Sequence, residues 1–140
     1  MTEPAPYVYH AQVRWSDADI MGHVNHARYL SLFEDARMAM LSESPAGLAG
    51  APGDRGYIAA HLSIDYRYPA TFRPGLALRV DTTIGHLGTT SWTFDQRMSD
   101  GETLVALCRC VLVGYSYATG SKRVLGDDER AYWQRYRGAG

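Results

Sequence analysis

The sequence predicts an α+β fold in which a curved, mainly antiparallel five-stranded sheet wraps around one long central helix. Two observations lead to it: one long helical segment is apolar over most of its circumference, and four strand-like runs follow it in succession. The apolar surface of such a helix has to be buried on most sides, and we expect the sheet formed by these strands to bury it. With 140 residues, 46% of them apolar, the chain is expected to form a single domain over residues 1–140.

The first strand and the helix are separated by a polar loop. Residues 7–16, YVYHAQVRWS, alternate in the manner of a half-buried strand. Residues 26–43 then form the helix, for which Asn25 is a good N-cap and Pro45 a stop signal. The apolar positions of this helix repeat with a period of ~3.6 residues, at Tyr29, Phe33, Ala36 and Met40.

The second half of the chain is rich in strands. A loop of Gly, Ala and Pro at 46–56 precedes four strand-like runs, at 57–68, 76–85, 89–99 and 102–117. Asp100 and Gly101 carry a hairpin signal between the last two runs, which indicates antiparallel pairing. Residues 127–138 are expected to form a short terminal helix. Long edge strands in such a sheet are usually protected by pairing with another copy, so we expect a homo-oligomer.

Composition excludes several classes of function. With 14 Lys and Arg against 15 Asp and Glu, the net charge of −1 gives no overall field for nucleic acid or an anionic membrane. No apolar run approaches the ~18 residues of a membrane span, and the first residues lack a signal-peptide pattern, so we expect a cytoplasmic protein. Cys108 and Cys110 are expected to be small core residues, and no set of zinc ligands is present.

The loop ahead of the helix, DADIMGHVNHARY at 17–29, has the chemistry of an active site. The first N–H groups of a helix lack intrahelical partners and carry a partial positive charge. The backbone N–H groups around Asn25, His26 and Ala27 could therefore stabilise an oxyanion formed from an acyl carbonyl. A carboxylate nearby, Asp17 or Asp19, could act as nucleophile or general base. Spacing alone does not separate the two aspartates, and an Asp before a helix is more often only a turn or cap residue.

Residues 14–37, RWSDADIMGHVNHARYLSLFEDAR, resemble the signature D-x-D-x-x-G-H-V-N-N-x-x-Y-x-x-x-x-E-x-A-R of hotdog-fold acyl-CoA thioesterases of the 4-hydroxybenzoyl-CoA thioesterase type. The resemblance extends through HLSIDYRYPATFRPGLAL at 61–78 and VLVGYSYATGSKRV at 111–124, so it covers most of the chain. It implies the hotdog fold, with the central helix wrapped by the sheet, and the hydrolysis of an acyl-CoA thioester.

The resemblance also implies roles for residues of the loop. The catalytic carboxylate of the family corresponds to Asp19, which leaves Asp17 with a structural role. The oxyanion donor corresponds to the backbone N–H of His26, at a position where the signature commonly has Asn. His23 and Asn25 would position the loop, the acyl carbonyl or the attacking water.

Substrate contacts are implied less directly. Some members of the family bind the coenzyme A phosphates with a basic cluster at the turn that here lacks Lys and Arg. The expected phosphate contacts are therefore the polar turn and a nearby basic pair: Gly88, Thr89, Thr90, Ser91, Lys122 and Arg123. An apolar acyl pocket is expected from Tyr29, Leu32, Phe33, Ile58 and Trp92. No cofactor or metal is expected beyond the coenzyme A of the substrate.

Two other functions fit the same loop. A hotdog-fold dehydratase or hydratase would bind an acyl thioester and use His23 or His26 with Asp19 to move a hydroxyl and a proton. A non-catalytic acyl-CoA binding protein would hold the ligand without turnover. In each case the expected assembly is a homodimer or a homotetramer built as a dimer of dimers, without nucleic acid or membrane as a partner.

Overall fold

One long helix lies against an antiparallel sheet, as the computed structural model of the chain shows for residues 4–45, 47 and 55–138. The elements follow the predicted order and are β1 (Tyr7–Gln12), α1 (His26–Ser42), β2 (Gly56–Tyr66), β3 (Ala77–Leu87), β4 (Ser91–Asp100), β5 (Thr103–Ser116), β6 (Ser121–Lys122) and α2 (Asp127–Gln134). The predicted loop at 46–56 lies mostly outside the described residues.

The sheet has the strand order β1-β3-β4-β5-β2, and every pair of strands in it is antiparallel. These are the five strands predicted from the sequence, and the two-residue strand β6 is added to them by pairing with β5. The predicted fold class, a curved antiparallel sheet with one long helix, is confirmed. The β4–β5 hairpin turns at Gly101, whose φ of 59° lies in the left-handed region that favours glycine.

The first strand is shorter than predicted. It ends at Gln12 instead of residue 16, and Trp15–Asp17 form a short 3-10 helix. The backbone N–H of Arg14 donates to Oδ2 of Asp17 at 2.8 Å, and the backbone N–H of Asp17 donates to the Arg14 carbonyl at 2.9 Å. These local bonds compete with the strand, so the alternation of side chains is interrupted and Trp15 is 80% exposed.

Helix α1 begins and ends where the sequence predicts. Asn25 is the N-cap, and its side chain accepts from the backbone N–H of Ala27. The buried face includes the four apolar positions predicted for it, Tyr29, Phe33, Ala36 and Met40. Toward the far end of the helix the core is completed by α2, where Trp133 stacks on Trp92 with 4.9 Å between ring centroids. The buried apolar side chains form two clusters, one around the first turns of α1 and one that includes the end of α1 and α2.

Strand β2 forms one edge of the sheet. Within the described part of the chain it pairs with β5 alone, and its Gly56 end lies beside Tyr115 while its Tyr66 end lies beside Ala106. Its other edge is open to solvent along 11 residues, and three large apolar side chains on it are 40–48% exposed: Ile58, Leu62 and Tyr66. Long open edges with apolar side chains are sites where another strand can pair.

Cys108 and Cys110 are buried and free, as predicted for small core residues. Burial raises the pKa of the Cys108 thiol to about 11. Among the residues that the structure describes, no helix is both long and apolar enough to cross a membrane. The same residues contain no group of three or more His, Cys, Asp or Glu side chains placed to hold a metal ion.

Candidate active site

The polar loop between β1 and α1 folds back on itself in a tight turn. The backbone N–H of Asp19 donates to the His23 carbonyl at 2.8 Å, and the N–H of Gly22 donates to the Asp19 carbonyl at 3.0 Å. Gly22 has a φ of 78°, a conformation that L side chains rarely adopt. A bridge between Ala18 and Val24 closes the base of the turn. The turn thus holds Asp19 and His23 beside the start of α1.

Only one carboxylate oxygen of Asp19 accepts hydrogen bonds from the described residues. Its Oδ1 accepts from the backbone N–H of Met21 at 2.9 Å and from that of His23 at 3.3 Å. No donor to its Oδ2 is found among the described residues. Asp19 is half-buried and lines a cavity of about 310 Å³, whose other lining residues are His23, Val24, His26, Tyr29, Tyr66, Arg67, Tyr68 and Pro69.

Asp17 has a different environment. Its carboxylate is buried and binds the Arg14 guanidinium through Nη2 at 3.0 Å, with Arg28 at 3.9 Å. Burial acts to raise the pKa of Asp17, but the hydrogen bonds from the side chain and backbone of Arg14, together with the positive charges, hold it below its usual range. Both oxygens of Asp17 are therefore committed, and of these two aspartates it is Asp19 that lines the cavity. This is the distinction that sequence spacing left open.

The start of α1 offers fewer free donors than predicted. The N–H of Asn25 donates to the Asp17 carbonyl at 2.8 Å, and the N–H of Ala27 donates to the capping oxygen of Asn25 at 3.0 Å. These two groups are used inside the protein, so the prediction that they could bind an oxyanion is wrong. The N–H of His26 has no acceptor among the described residues. It is the candidate oxyanion donor, and it lies at the positive end of the 17-residue helix.

Aromatic side chains form the wall of the cavity on the β2 side. The hydroxyl of Tyr66 donates to the His26 carbonyl at 2.7 Å, and the Tyr66 ring meets the Tyr29 ring edge-on at 5.5 Å. The Tyr29 hydroxyl accepts from the backbone N–H of Ala70 at 3.0 Å. No role was predicted for Tyr66, Arg67, Tyr68 or Pro69, although all four lie in the segment 61–78 that carries the family resemblance. Their position against α1 depends on β2 lying at the edge beside β5.

The apolar residues predicted for an acyl pocket mostly lie away from this cavity within one chain. Of these five residues only Tyr29 lines the cavity. Leu32 and Phe33 are 4% and 0% exposed in the core cluster around the first turns of α1. Trp92 is 1% exposed in the second cluster, where it stacks on Trp133 of α2. Ile58 lies toward the Gly56 end of β2, away from the loop.

The predicted phosphate contacts lie at the other end of the sheet. The Asp19 loop follows Gln12, which pairs with Ala77 at the start of β3, whereas the turn Gly88–Ser91 follows the end of this 11-residue strand. Lys122 and Arg123 lie at or just after β6, which pairs with the far end of β5. Within one chain the structure therefore does not bring these residues to Asp19.

Lys122 and Arg123 differ in whether their side chains already form an ion pair within the protein. Lys122 is exposed and takes part in no ion pair with any described residue. The Arg123 guanidinium donates to both oxygens of Glu129, at 2.7 and 3.0 Å, and its Nε donates to the Gly56 carbonyl at 3.1 Å. Glu129 is 1% exposed, so this pair is internal. Contact between Arg123 and a phosphate stays a prediction, and it would require this pair to open.

Comparison with known proteins places the chain in a family. Residues 13–134 match the family model of the thioesterase-like superfamily. The chain belongs to this superfamily. The family resemblance and the enzyme class that it implied, a thioester hydrolase, are thereby confirmed.

Solved structures of this thioesterase-like fold are similar over nearly the whole chain. The PA5185 protein of Pseudomonas aeruginosa has 22% identity over 99% of both chains with a TM-score of 0.85. A predicted thioesterase from Bacillus stearothermophilus has 23% identity, covers 97% of this chain and 100% of its own, and also has a TM-score of 0.85. Slr0204 from Synechocystis, a 1,4-dihydroxy-2-naphthoyl-CoA thioesterase, has 25% identity, coverage of 91% and 95%, and a TM-score of 0.80. Comparison with curated proteins gives no match.

Proposed function

We propose that this superfamily member is an acyl-CoA thioesterase that hydrolyses an acyl-CoA thioester to a free acid and coenzyme A, with Asp19 as nucleophile or general base. The observation that carries the proposal is that two residues lining the same cavity, Asp19 and His26, each have a polar group without a hydrogen-bond partner among the described residues. Asp19 has an unpartnered Oδ2 among the described residues, and the N–H of His26 is unpartnered in the same sense, at the N-terminus of α1.

The chemistry needs a nucleophile, an oxyanion donor and a good leaving group. The N–H of His26 and the positive end of α1 stabilise the oxyanion that forms on the acyl carbonyl oxygen. Asp19 either attacks the carbonyl carbon or takes a proton from the water that attacks it. The C–S bond then breaks, and the thiolate, with a pKa near ~8.5 on the scale of a free cysteine, leaves without obligatory protonation. If Asp19 itself attacks, this step leaves an acyl–Asp19 anhydride, which a water hydrolyses to release the free acid and restore the carboxylate. This fits a site built on a carboxylate alone.

The remaining polar groups support these two. The backbone N–H groups of Met21 and His23 hold Oδ1 of Asp19, which fixes the direction of the free oxygen. Asn25 caps the helix and thereby fixes the backbone on both sides of the donor. The ring of His23 lines the cavity and is available to orient water or the substrate. The proposal thus keeps His23, Asn25 and Tyr29 as supporting residues.

We also propose a homodimer that pairs through β2. Its support is the open 11-residue edge with exposed Ile58, Leu62 and Tyr66, one end of which borders the cavity. An antiparallel pairing of two β2 strands sets the Gly56 end of one copy beside the Tyr66 end of the other. Lys122 lies at the Gly56 end, so one copy would bring it toward the cavity of the other copy. The proposed phosphate contacts, which lie far from Asp19 of their own chain, would then lie near Asp19 of the other copy.

Release of free thiol from a panel of short, long, branched and aromatic acyl-CoAs tests the function and the substrate together. We expect the parent protein to release thiol and Asp19→Asn to lower kcat at least ~100-fold, the lower range for loss of a general base. Asp17→Asn is the matched control, and its main effect should be on stability. No thiol release from any acyl-CoA would contradict the proposal, and conversion of a 3-hydroxyacyl or enoyl thioester instead would favour the dehydratase.

Light scattering tests the proposed assembly. We expect a mass of at least twice 15.5 kDa for the parent. Leu62→Lys places a charge in the middle of the open edge and should reduce the mass to that of one chain and abolish most activity. Thr103→Lys, on the exposed start of β5, is the control for an added charge. A fully active monomer at micromolar concentration would rule out this interface.

A further inference from the structure

The hydroxyl of Tyr66 connects the edge strand to the first turn of α1. It donates to the carbonyl of His26 at 2.7 Å, and the two residues are 40 positions apart in the sequence. His26 is the first residue of the helix and is itself exposed. First turns of helices fray easily because several of their N–H groups lack intrahelical partners. The Tyr66 bond therefore holds the backbone at the point where the helix is least constrained by its own hydrogen bonds.

The ring of Tyr66 is fixed by its own contacts. It meets the Tyr29 ring edge-on, with 5.5 Å between centroids and 82° between planes, and the His26 ring at 6.5 Å and 83°. Tyr29 is 3% exposed and is itself held by the bond from Ala70. Tyr66 is thus packed against a rigid neighbour, and the direction of its hydroxyl is set. A contact of this kind limits where the His26 backbone can move.

Hydrogen bonds with Asn25 and Tyr66 restrain the backbone on both sides of the His26 N–H. The side chain of Asn25 binds the N–H of Ala27, on one side of His26, while Tyr66 binds the carbonyl of His26. The N–H of His26 lies between these attachments and has no acceptor of its own among the described residues. Small displacements of a catalytic group have large effects on rate, of the order of 100-fold per ångström. A group that fixes this N–H therefore contributes to the rate without touching the reacting atoms.

We propose that Tyr66 is a positioning residue, which fixes the oxyanion donor of His26 by anchoring the first turn of α1 to strand β2. The inference rests on the proposed function and adds a residue to it. Because Tyr66 also lies on the open edge of the sheet, pairing of β2 with a second copy would rigidify the strand that carries this anchor. Activity and assembly are then linked through one hydroxyl group.

Tyr66→Phe removes the hydroxyl and keeps the ring, so the contact with Tyr29 and the apolar edge are retained. We expect kcat to fall ~10-fold with KM changed less than about two-fold, because the donor is displaced for the transition state more than for substrate binding. Backbone amide exchange of Ala27 and Arg28 should become faster by a similar factor. Light scattering should show the same mass as the parent.

Tyr132→Phe is the matched control. The Tyr132 hydroxyl donates to the Met40 carbonyl at 2.8 Å, so it is a tyrosine bound to a backbone carbonyl of the same helix at its opposite end. This variant should lower the melting temperature at least as much as Tyr66→Phe and leave kcat unchanged. Equal kcat in Tyr66→Phe and parent would overturn the inference, as would equal losses of kcat in both variants. A parent protein that releases no thiol would instead overturn the proposed function itself.

Discussion

Arg14 holds the buried carboxylate of Asp17 through its side chain and its backbone at once. The guanidinium donates to Oδ1 at 3.0 Å, and the backbone N–H donates to Oδ2 at 2.8 Å. The Arg14 side chain is 71% exposed while that of Asp17 is 4% exposed, so solvent screens the cation more than the anion. The backbone bond does not depend on this exposed guanidinium, so the two kinds of bond hold Asp17 together.

Asp17→Asn is expected to destabilise the protein by about 1–3 kcal/mol at pH 7, the range for loss of a hydrogen bond to a charged group. The folded-state pKa of Asp17 lies below its usual value. Its contribution to the free energy of unfolding is therefore complete above the unfolded pKa of ~3.9 and is lost as the pH falls through the lower folded pKa. Urea unfolding of variant and parent between pH 7 and pH 2.5 measures this, and the two should converge at the acid end.

Asp65→Asn is the control for this series, because its side chain is 74% exposed and its nearest cation lies at 4.0 Å. It should stay within about 0.5 kcal/mol of the parent at every pH. A constant difference between Asp17→Asn and the parent over the whole range would show that the Asp17 charge has no part in stability.

Local signals in the sequence predicted the helix and its cap correctly. The bounds of α1 and the role of Asn25 depend on neighbouring residues: an amide oxygen that reaches an N–H two positions on, and an apolar period. The five strands were predicted for the same reason. The end of β1 was missed because the bonds between Arg14 and Asp17 replace strand pairing, and nothing in the alternation of side chains signals them.

The parts of the site that were missed depend on how the strands and helices pack together. Tyr66 reaches His26 only because β2 lies beside β5 at the edge of the sheet, and spacing along the chain does not carry that information. The commitment of Arg123 to Glu129 depends in the same way on the docking of α2. The difference between Asp17 and Asp19 also depends on packing, because Asp17 is buried beside Arg14 whereas Asp19 is half-buried and lines the cavity.

Substitutions of Asn25 separate its role in stability from its effect on the proposed oxyanion donor, the N–H of His26. Asn25→Ala removes the cap and should cost about 1 kcal/mol in the free energy of unfolding. Asn25→Asp keeps a capping oxygen and should retain the stability of the parent, helped by the helix dipole. Its added negative charge next to the His26 N–H should nevertheless lower kcat ~10-fold, because it repels the developing oxyanion. Thermal unfolding and thiol release on both variants would show this. An Asn25→Asp protein as active as the parent would argue against His26 as the donor.

Replacing Lys122 by Ala is expected to change KM, whereas replacing Arg123 by Ala is expected to change stability. Lys122→Ala should raise KM and leave kcat and stability unchanged, because a phosphate contact far from the carbonyl acts alike in the ground and transition states. Arg123→Ala leaves the buried Glu129 without its partner and should destabilise the fold by about 3–5 kcal/mol. Thiol-release kinetics and urea unfolding measure the two effects. An unchanged KM in Lys122→Ala would remove it from the substrate site.

Mixed dimers show which copy supplies the lysine. If Lys122 acts across the β2 interface, a dimer of one Asp19→Asn chain and one Lys122→Ala chain contains one site with both residues intact. Refolding the two variants together should then restore a fraction of the activity with the KM of the parent. If Lys122 acts within its own chain, no site in the mixed dimer has both residues, and only the high KM of Lys122→Ala should be seen.

Arg37 is a cation inside the core whose main acceptor is a neutral side chain. It is 5% exposed, and its Nη1 donates to Oε1 of Gln96 at 2.9 Å, with the Cys108 sulfur at 3.9 Å. Its Nε has no partner among the described residues. The Gln96 amide in turn donates to the Phe33 carbonyl and to the Thr82 hydroxyl, at 3.2 and 3.1 Å. Gln96 is thus the residue through which the buried charge is connected to the rest of the core.

A double-mutant cycle on this pair should be strongly non-additive. Gln96→Leu leaves the guanidinium buried without an oxygen acceptor and should cost at least about 3 kcal/mol in the free energy of unfolding. Arg37→Met removes the charge while keeping most of the volume, and should cost about 1–3 kcal/mol because Oε1 of Gln96 loses its donor. The double variant replaces both partners with apolar groups, so it should be more stable than Gln96→Leu alone, with a coupling energy of at least about 1.5 kcal/mol. Urea unfolding of the four proteins measures the coupling, and simple addition of the two single effects would show that Gln96 does not hold the charge.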